Sequence, residues 1–441
     1  MRVPVTHEST WHYINTFKLE TEPFDMNMDG NFMYIRDKRF RMDVEGLGVM
    51  ENVYPEFPMY PWERKIPWSK LFDYVSEDIL KVIPADIRRE IITTLYDYNE
   101  IIDYWDYIST KKTMARLGLS QGAIDMLSRV LPTVFPFWYD SHIEILNEVM
   151  TLAFIDLFKV KGGFSKIPLA FYNSFISDNP EEYEGIPSEL IGSVEIKLNC
   201  PVEGIYENTY KDKTILRYRN VDNSEILDES FDYVVSAIPF SVLRTVDVYP
   251  AFSQKKDQAI MECNYTEAQK TLLLFNKRFW QEDAPYGRIK GGGSVTDLPI
   301  ATIWYPDYGP IDSPSVMLAS YNINKDARRV GTLPIDRRVD LIMRDLEYVH
   351  GLPPGYLDSF VEGYASMNWG NQPYQLGCFL YYQPEQKRLF SYAMTTPEYN
   401  NKVFFAGEHI SATHGWQNGA YKTGMQAAND IARCHSSKPL V

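Results

Sequence analysis

The chain has 441 residues, 45% of them hydrophobic and 23% charged, which is ordinary for a globular protein and too long for one core, so two or three domains are expected. A formal net charge of −15 sets aside nucleic acid and anionic membrane as partners. No apolar run is long enough to span a bilayer, no basic-then-apolar leader opens the chain, and the four cysteines (Cys200, Cys263, Cys378, Cys434) and seven histidines show neither disulfide nor metal spacing. A cytoplasmic protein with reduced thiols and no metal is the expectation.

In chain order, 32–35 and 40–42 read as two strands around the polar turn at 36–39. The stretch 51–68, dense in proline and aromatics, reads as an extended connector. Ile91, Ile92, Leu95, Tyr98, Ile102 and Trp105 recur at three- and four-residue spacing and predict a helix with one buried face. Ser120 and Ser141 are placed to cap helices over 124–127 and 143–158, so 70–160 predicts a helical layer. After Gly162-Gly163 the pattern turns to strands, clearest at 214–218, 233–238, 271–275, 316–319 and 403–406. The last of these runs into a glycine-containing loop and then a helix. Tyrosine occurs 31 times, which fits aromatic cores and aromatic-lined pockets equally.

The most informative segment runs Val403-Phe404-Phe405-Ala406-Gly407-Glu408-His409, then Thr413-His414-Gly415-Trp416-Gln417-Asn418-Gly419-Ala420. Small residues at 419, 420, 424, 427 and 428 fall at helical spacing and let a backbone approach a strand or a flat ligand closely. A helix beginning near Gly415 presents free N–H groups, and that end stabilises negative charge.

This string resembles the C-terminal signature of the flavin amine oxidases, and in particular of the L-amino acid oxidases. The resemblance implies FAD as cofactor, with Gly407 and Glu408 at its phosphate–ribityl part, Val202 against adenine and the backbone of Gln417 at the flavin C2 carbonyl. Gly415 and Trp416 would wall the substrate cage. Lys270, in the strand Lys270-Thr271-Leu272-Leu273-Leu274-Phe275, reads by itself as a lysine snorkelling to solvent. By resemblance it is the lysine that holds a water beside flavin N5. Tyr321 matches the tyrosine that binds the substrate carboxylate, and Phe379 a residue near the substrate side chain. Trp369 and Pro373-Tyr374 follow the same pattern. Met1-Arg2-Val3-Pro4 resembles the motif whose arginine pairs with the carboxylate, beside the cofactor. By position alone Arg2 reads as a frayed terminal residue.

The resemblance implies a mixed α/β (α+β) fold: a partial Rossmann-like FAD-binding domain (186–265 and 396–436), a mixed-sheet substrate domain (1–45 and 266–395) and a helical subdomain (46–185). The family's Gly-x-Gly-x-x-Gly unit is not found here, since Gly46-Leu47-Gly48 is followed by Glu51 and Gly291-Gly292-Gly293 reads as a hairpin loop. A misassigned start, a unit supplied by another polypeptide and an inactive remnant are all open. The implied activity is oxidation of an L-amino acid by dioxygen to a 2-oxo acid, ammonia and hydrogen peroxide, in a protein that a dimer would suit. A decarboxylating monooxygenase giving an amide shares the same motifs. Phe379 hints at an apolar or aromatic substrate.

Overall fold

The structure, a computed structural model, describes residues 2–26, 28–306, 310 and 312–436. It is a mixed α/β architecture. A seven-stranded sheet runs in the order Val361–Asn368, Ala268–Phe275, Ser315–Ile323, Thr302–Trp304, Gly293–Thr296, Phe32–Ile35, Lys38–Arg41. Its pairs are antiparallel except where Gly293–Thr296 meets Phe32–Ile35 in parallel. Alternating residues Leu273, Phe275, Met317 and Ala319 point to one face and are buried there against Val339, Ile342, Leu346 and Val349 of helix Ile335–His350. The period of two in the strands and of 3.6 in the helix each bring apolar residues to a common core.

The hairpin at 32–41 forms with a shorter turn than expected, Arg36 and Asp37 alone taking positive φ. The stretch 51–68 is not extended. It carries the end of helix Leu47–Asn52 and two 3-10 turns, Tyr54–Glu56 and Glu63–Lys65, because its aromatics fold onto the helical layer. Gly122 admits the Pro58 carbonyl there, which a Cβ would meet at 2.3 Å.

Ser120 and Ser141 cap as read: their hydroxyls accept from the N–H of Ala123 (3.0 Å) and of Ile143 (3.3 Å). The single helix expected over 91–105 is two pieces. A 3-10 turn, Arg89–Ile92, ends at Thr93, and helix Glu100–Tyr107 restarts at Asn99, whose side chain accepts from Ile101. The helix expected over 143–158 stops early, at His142–Met150. Leu152 and Asp156 turn left-handed, and Leu157–Val160 becomes the centre of a three-stranded sheet between Val3–Pro4 and Thr21–Pro23.

The remaining sheets are a four-stranded one, Asp247–Tyr249, Val202–Asn208, Lys213–Asn220, Glu225–Phe231, and a parallel pair, Val403–Phe405 with Val234–Ser236. The pair leads through Gly407 into helix Gln417–Ser436, which starts two residues later than Gly415. Among the described residues no helix is long and apolar enough to cross a membrane. All four cysteines are free of disulfide bonds.

Candidate active site

The site is assembled by strand register. Lys270 stands opposite Tyr321 across the Ala268–Phe275/Ser315–Ile323 pair and opposite Met367 on the other side. The Lys270 ammonium lies 4.5 Å from the centre of the Tyr321 ring and 5.6 Å from that of Trp369. The lysine is half-buried, and burial lowers its pKa, with Cys378 opposing and Arg2 adding to the shift. Burial also pushes the Tyr321 hydroxyl up to about 12, so it is a neutral donor at ordinary pH.

Arg2 is not a frayed terminus. Val3 and Pro4, both buried, pair with Phe158 and Leu157, and this short ladder anchors the chain start. The guanidinium sits among three rings, 5.5 Å from Phe154, 5.6 Å from Trp304 and 5.8 Å from Phe24. Its Nε is buried with no hydrogen-bonding partner among the described residues. Burial lowers its pKa, and Tyr321 and Glu148 lie close enough to oppose that shift.

The C-terminal segment closes the other side. Trp416 packs edge-on to His7 at 4.9 Å and to Phe154 at 5.8 Å, continuing the ring wall around Arg2. Gly415 is left-handed (φ 73°), and a Cβ there would press on Phe379 at 3.3 Å. Glu408 ties the turn together: one oxygen accepts from the N–H of Gly415 (2.7 Å), the other from that of Leu380 (3.1 Å). His414 bonds both oxygens of Glu144 at 3.1 Å and so fastens this turn to helix His142–Met150. Gly407 (φ 135°) donates to Thr423 at 2.9 Å. Gly419 packs on the chain's own Ser411 and Thr413, whereas Gly424 meets nothing within 4 Å. The small-residue stripe is thus shared between internal packing and an open face.

The structure therefore brings together Arg2, Lys270, Tyr321, Phe379, Gly415 and Trp416. Gly407, Glu408 and Gln417 stand beside them on one loop and helix start. Val202 is apart, at the exposed start of its strand in the four-stranded sheet, and Met1 falls outside the described residues. The ring cage of Phe24, Phe154 and Trp304, and Glu148 near Arg2, were not read from sequence. Glu144 and Glu148, carboxylates one helical turn apart in the apolar run 143–150, were the signal for the last.

These residues fit a flavin. Gln417 opens helix Gln417–Ser436, and its Oε1 is buried without a donor, an acceptor that a ligand N–H would satisfy. Half-buried Lys270 lies beside the ring of Trp369, and Trp416 continues the ring wall around Arg2. A cationic strand position, an aromatic wall and a helix start next to a parallel strand pair together suit a flat, electron-accepting cofactor.

The model of one family, the flavin containing amine oxidoreductases, matches residues 1–432, and the chain belongs to that family. It is a flavin-dependent oxidoreductase, with FAD as its cofactor. It is 27% identical over 435 residues to an L-amino-acid oxidase of Vipera ammodytes ammodytes, covering 98% of this chain and 81% of the relative. It is 28% identical over 437 residues to L-amino acid oxidase bordonein-L of Crotalus durissus terrificus, covering 98% and 77%. Among solved structures it shares the fold of putrescine oxidase bound to putrescine (TM-score 0.69, 15% identity, 98% of this chain and 87% of that one). Cyclohexylamine oxidase from Brevibacterium oxydans IH-35A matches similarly (TM-score 0.67, 13% identity, 99% and 87%).

Proposed function

We propose that the chain oxidatively deaminates an L-amino acid to a 2-oxo acid and ammonia, with dioxygen as the final acceptor and hydrogen peroxide as its product. One observation carries this reading: Arg2 is a caged guanidinium with an unpartnered Nε beside the Tyr321 hydroxyl. A simple amine offers nothing for that pair to hold, whereas a carboxylate satisfies both, and a planar guanidinium matches its geometry. A buried charge of this kind is costly to maintain without a partner, so a ligand anion is the natural complement.

Arg2 and Tyr321 grip the carboxylate and fix the α-carbon. Trp416 and Phe379 wall the cage and exclude water, and Gly415 lets the backbone come close. Lys270 is positioned beside the same space to hold a water. FAD, when bound, supplies the two-electron acceptor, and the protein contributes orientation and electrostatics. In this reading Gly407, Glu408, Gly415, Gln417 and Val202 hold the cofactor, with Met1 and Arg2 at its edge. The names of the relatives at 27–28% identity support the amino acid as substrate class. A cytoplasmic location belongs to the same proposal.

The test is kinetic. Arg2→Met should lower kcat/KM for L-amino acids by about 100-fold or more, mainly through KM, as expected when one partner of a buried charge-assisted pair is removed at about 2–5 kcal/mol. Product analysis runs alongside. A 2-oxo acid with stoichiometric hydrogen peroxide supports the proposal, and an amide with one carbon fewer replaces it by the monooxygenase reading. An Arg2→Met variant that keeps its KM contradicts the carboxylate anchor.

A further inference from the structure

We propose that Lys387 is a positioning residue for the flavin site: through one buried water it acts on the His414–Glu144 pair, and so on the turn that carries Gly415 and Trp416. The inference concerns how the site is held and applies to any substrate that the site takes.

Two helices and that turn meet around a small internal cavity of about 10 Å³. Glu144 and Asn147 of helix His142–Met150, Lys387 and Ser391 of helix Gln386–Thr395, and Ser411 and His414 of the turn line it. The volume is room for about one water, and the lining is polar enough to hold it. The bonds around it are closely knit. The Asn147 amide donates to the carbonyls of Ile91 (3.1 Å) and Ala412 (2.9 Å), which ties its helix to the turn. The Ser391 hydroxyl shares a bond with that of Tyr98 at 2.7 Å. The Ser411 hydroxyl donates to the Glu408 carbonyl (2.7 Å) and accepts from the N–H of Thr413 (2.9 Å).

Donors remain on two of the lining residues. Lys387 is only 4% exposed, and its ammonium donates to the carbonyls of Ile91 (3.1 Å) and Thr93 (3.2 Å), which uses two of its three N–H groups. His414 spends Nδ1 on Glu144, while its Nε2 is buried with no partner among the described residues. An imidazolium carries an N–H on both nitrogens. A water that accepts from Lys387 and from His414 Nε2 and donates to Glu144 satisfies all three groups, within the roughly two to four bonds that a buried water makes. The donor count and the cavity volume thus point to the same bridge.

The charges around His414 give the bridge its consequence. Burial lowers the pKa of His414, Glu144 and Glu408 raise it, Lys387 lowers it, and the net shift is upward. Two further neighbours are neutral. Burial pushes Tyr382, whose ring stands edge-on to His414 at 4.6 Å, well above its ordinary value, and it pushes His409 down to about 3. Lys387 is therefore the cation that works against the imidazolium. When His414 loses its proton, Glu144 loses the charge that fastens the turn to its helix. Lys387 sets the pH at which this happens.

In the FAD-loaded protein, the His414 titration should be followed by NMR of carbon-labelled histidine, assigned with His414→Gln, beside the pH profile of kcat/KM. Lys387→Met should move both the His414 midpoint and the alkaline limb of kcat/KM to higher pH. Where the unsubstituted protein keeps about a tenth of its kcat/KM on that limb, the variant should keep about threefold more. Lys387→Arg, which retains the charge, should leave both in place. A lysine that only packs would change stability and move neither. An unmoved His414 midpoint in Lys387→Met overturns the coupling, and a moved midpoint with an unmoved limb overturns the positioning role. Should Lys387→Met not fold, a high-resolution crystal structure of the unsubstituted protein decides: one ordered water between Lys387, His414 and Glu144 supports the bridge, and a dry cavity overturns it.

Discussion

The sheet that carries Lys270 and Tyr321 and the strand pair that leads to Gly407 differ in closure. Strand Ala268–Phe275 has neighbours on both sides, paired along its length, and Leu273 and Phe275 are fully buried. The Val403–Phe405/Val234–Ser236 pair has three rungs, and Val235 is 41% exposed. Nearby, Val194, Ile196 and Leu198 alternate as a strand should, yet 192–197 joins no ladder and the three side chains stay exposed. Alternation decides which face a residue presents. It does not supply the neighbour that turns an extended segment into a strand.

The largest effect is expected where the turn that follows the strand pair is fastened to helix His142–Met150. His414→Ala leaves Glu144 as a buried, uncompensated carboxylate, at a cost of about 3–5 kcal/mol. Burial lowers the pKa of His414, but the charge and hydrogen bond of Glu144 outweigh it, and the net shift is upward. The stabilisation is thus complete below the unfolded histidine pKa and is lost as pH rises through the folded one. Thermal unfolding of the two proteins should show a gap that narrows with rising pH. A gap that widens would mean the pair does not fasten the turn to helix His142–Met150.

Within the closed sheet, Leu273→Ala should cost about 2–5 kcal/mol in urea unfolding. Leu198→Thr, in the open segment, should stay within about 0.5 kcal/mol. Similar losses at both positions would erase the contrast. A smaller change sharpens it: Tyr321→Phe leaves the sheet intact and removes one hydroxyl, so unfolding should be unchanged while KM for an L-amino acid rises about five- to tenfold.

Local rules made much of the fold legible. The strands around 214, 271, 316 and 403 and the caps at Ser120 and Ser141 follow from alternation and hydroxyl chemistry within a few residues. Where the reading failed, a competing local bond won. Asn99 restarts a helix inside an apolar period that ran on past it, and Leu152 and Asp156 bend the chain into a sheet whose partners come from the first 25 residues. In the site, Arg2, Lys270, Tyr321 and Trp416 were reached through their motifs. The rings that cage Arg2 come from distant segments, Phe24, Phe154 and Trp304, and no spacing links them. Glu148 acquires its meaning only from Arg2, which the fold carries to it.

The central claim is that this flavin site takes an amino acid by its carboxylate. The most direct measurement is the visible spectrum of the FAD-loaded protein under anaerobic conditions, on adding an L-amino acid and, separately, the amine left by its decarboxylation. The account predicts that the amino acid bleaches the flavin bands and the amine leaves them unchanged. Bleaching by the amine alone would contradict it.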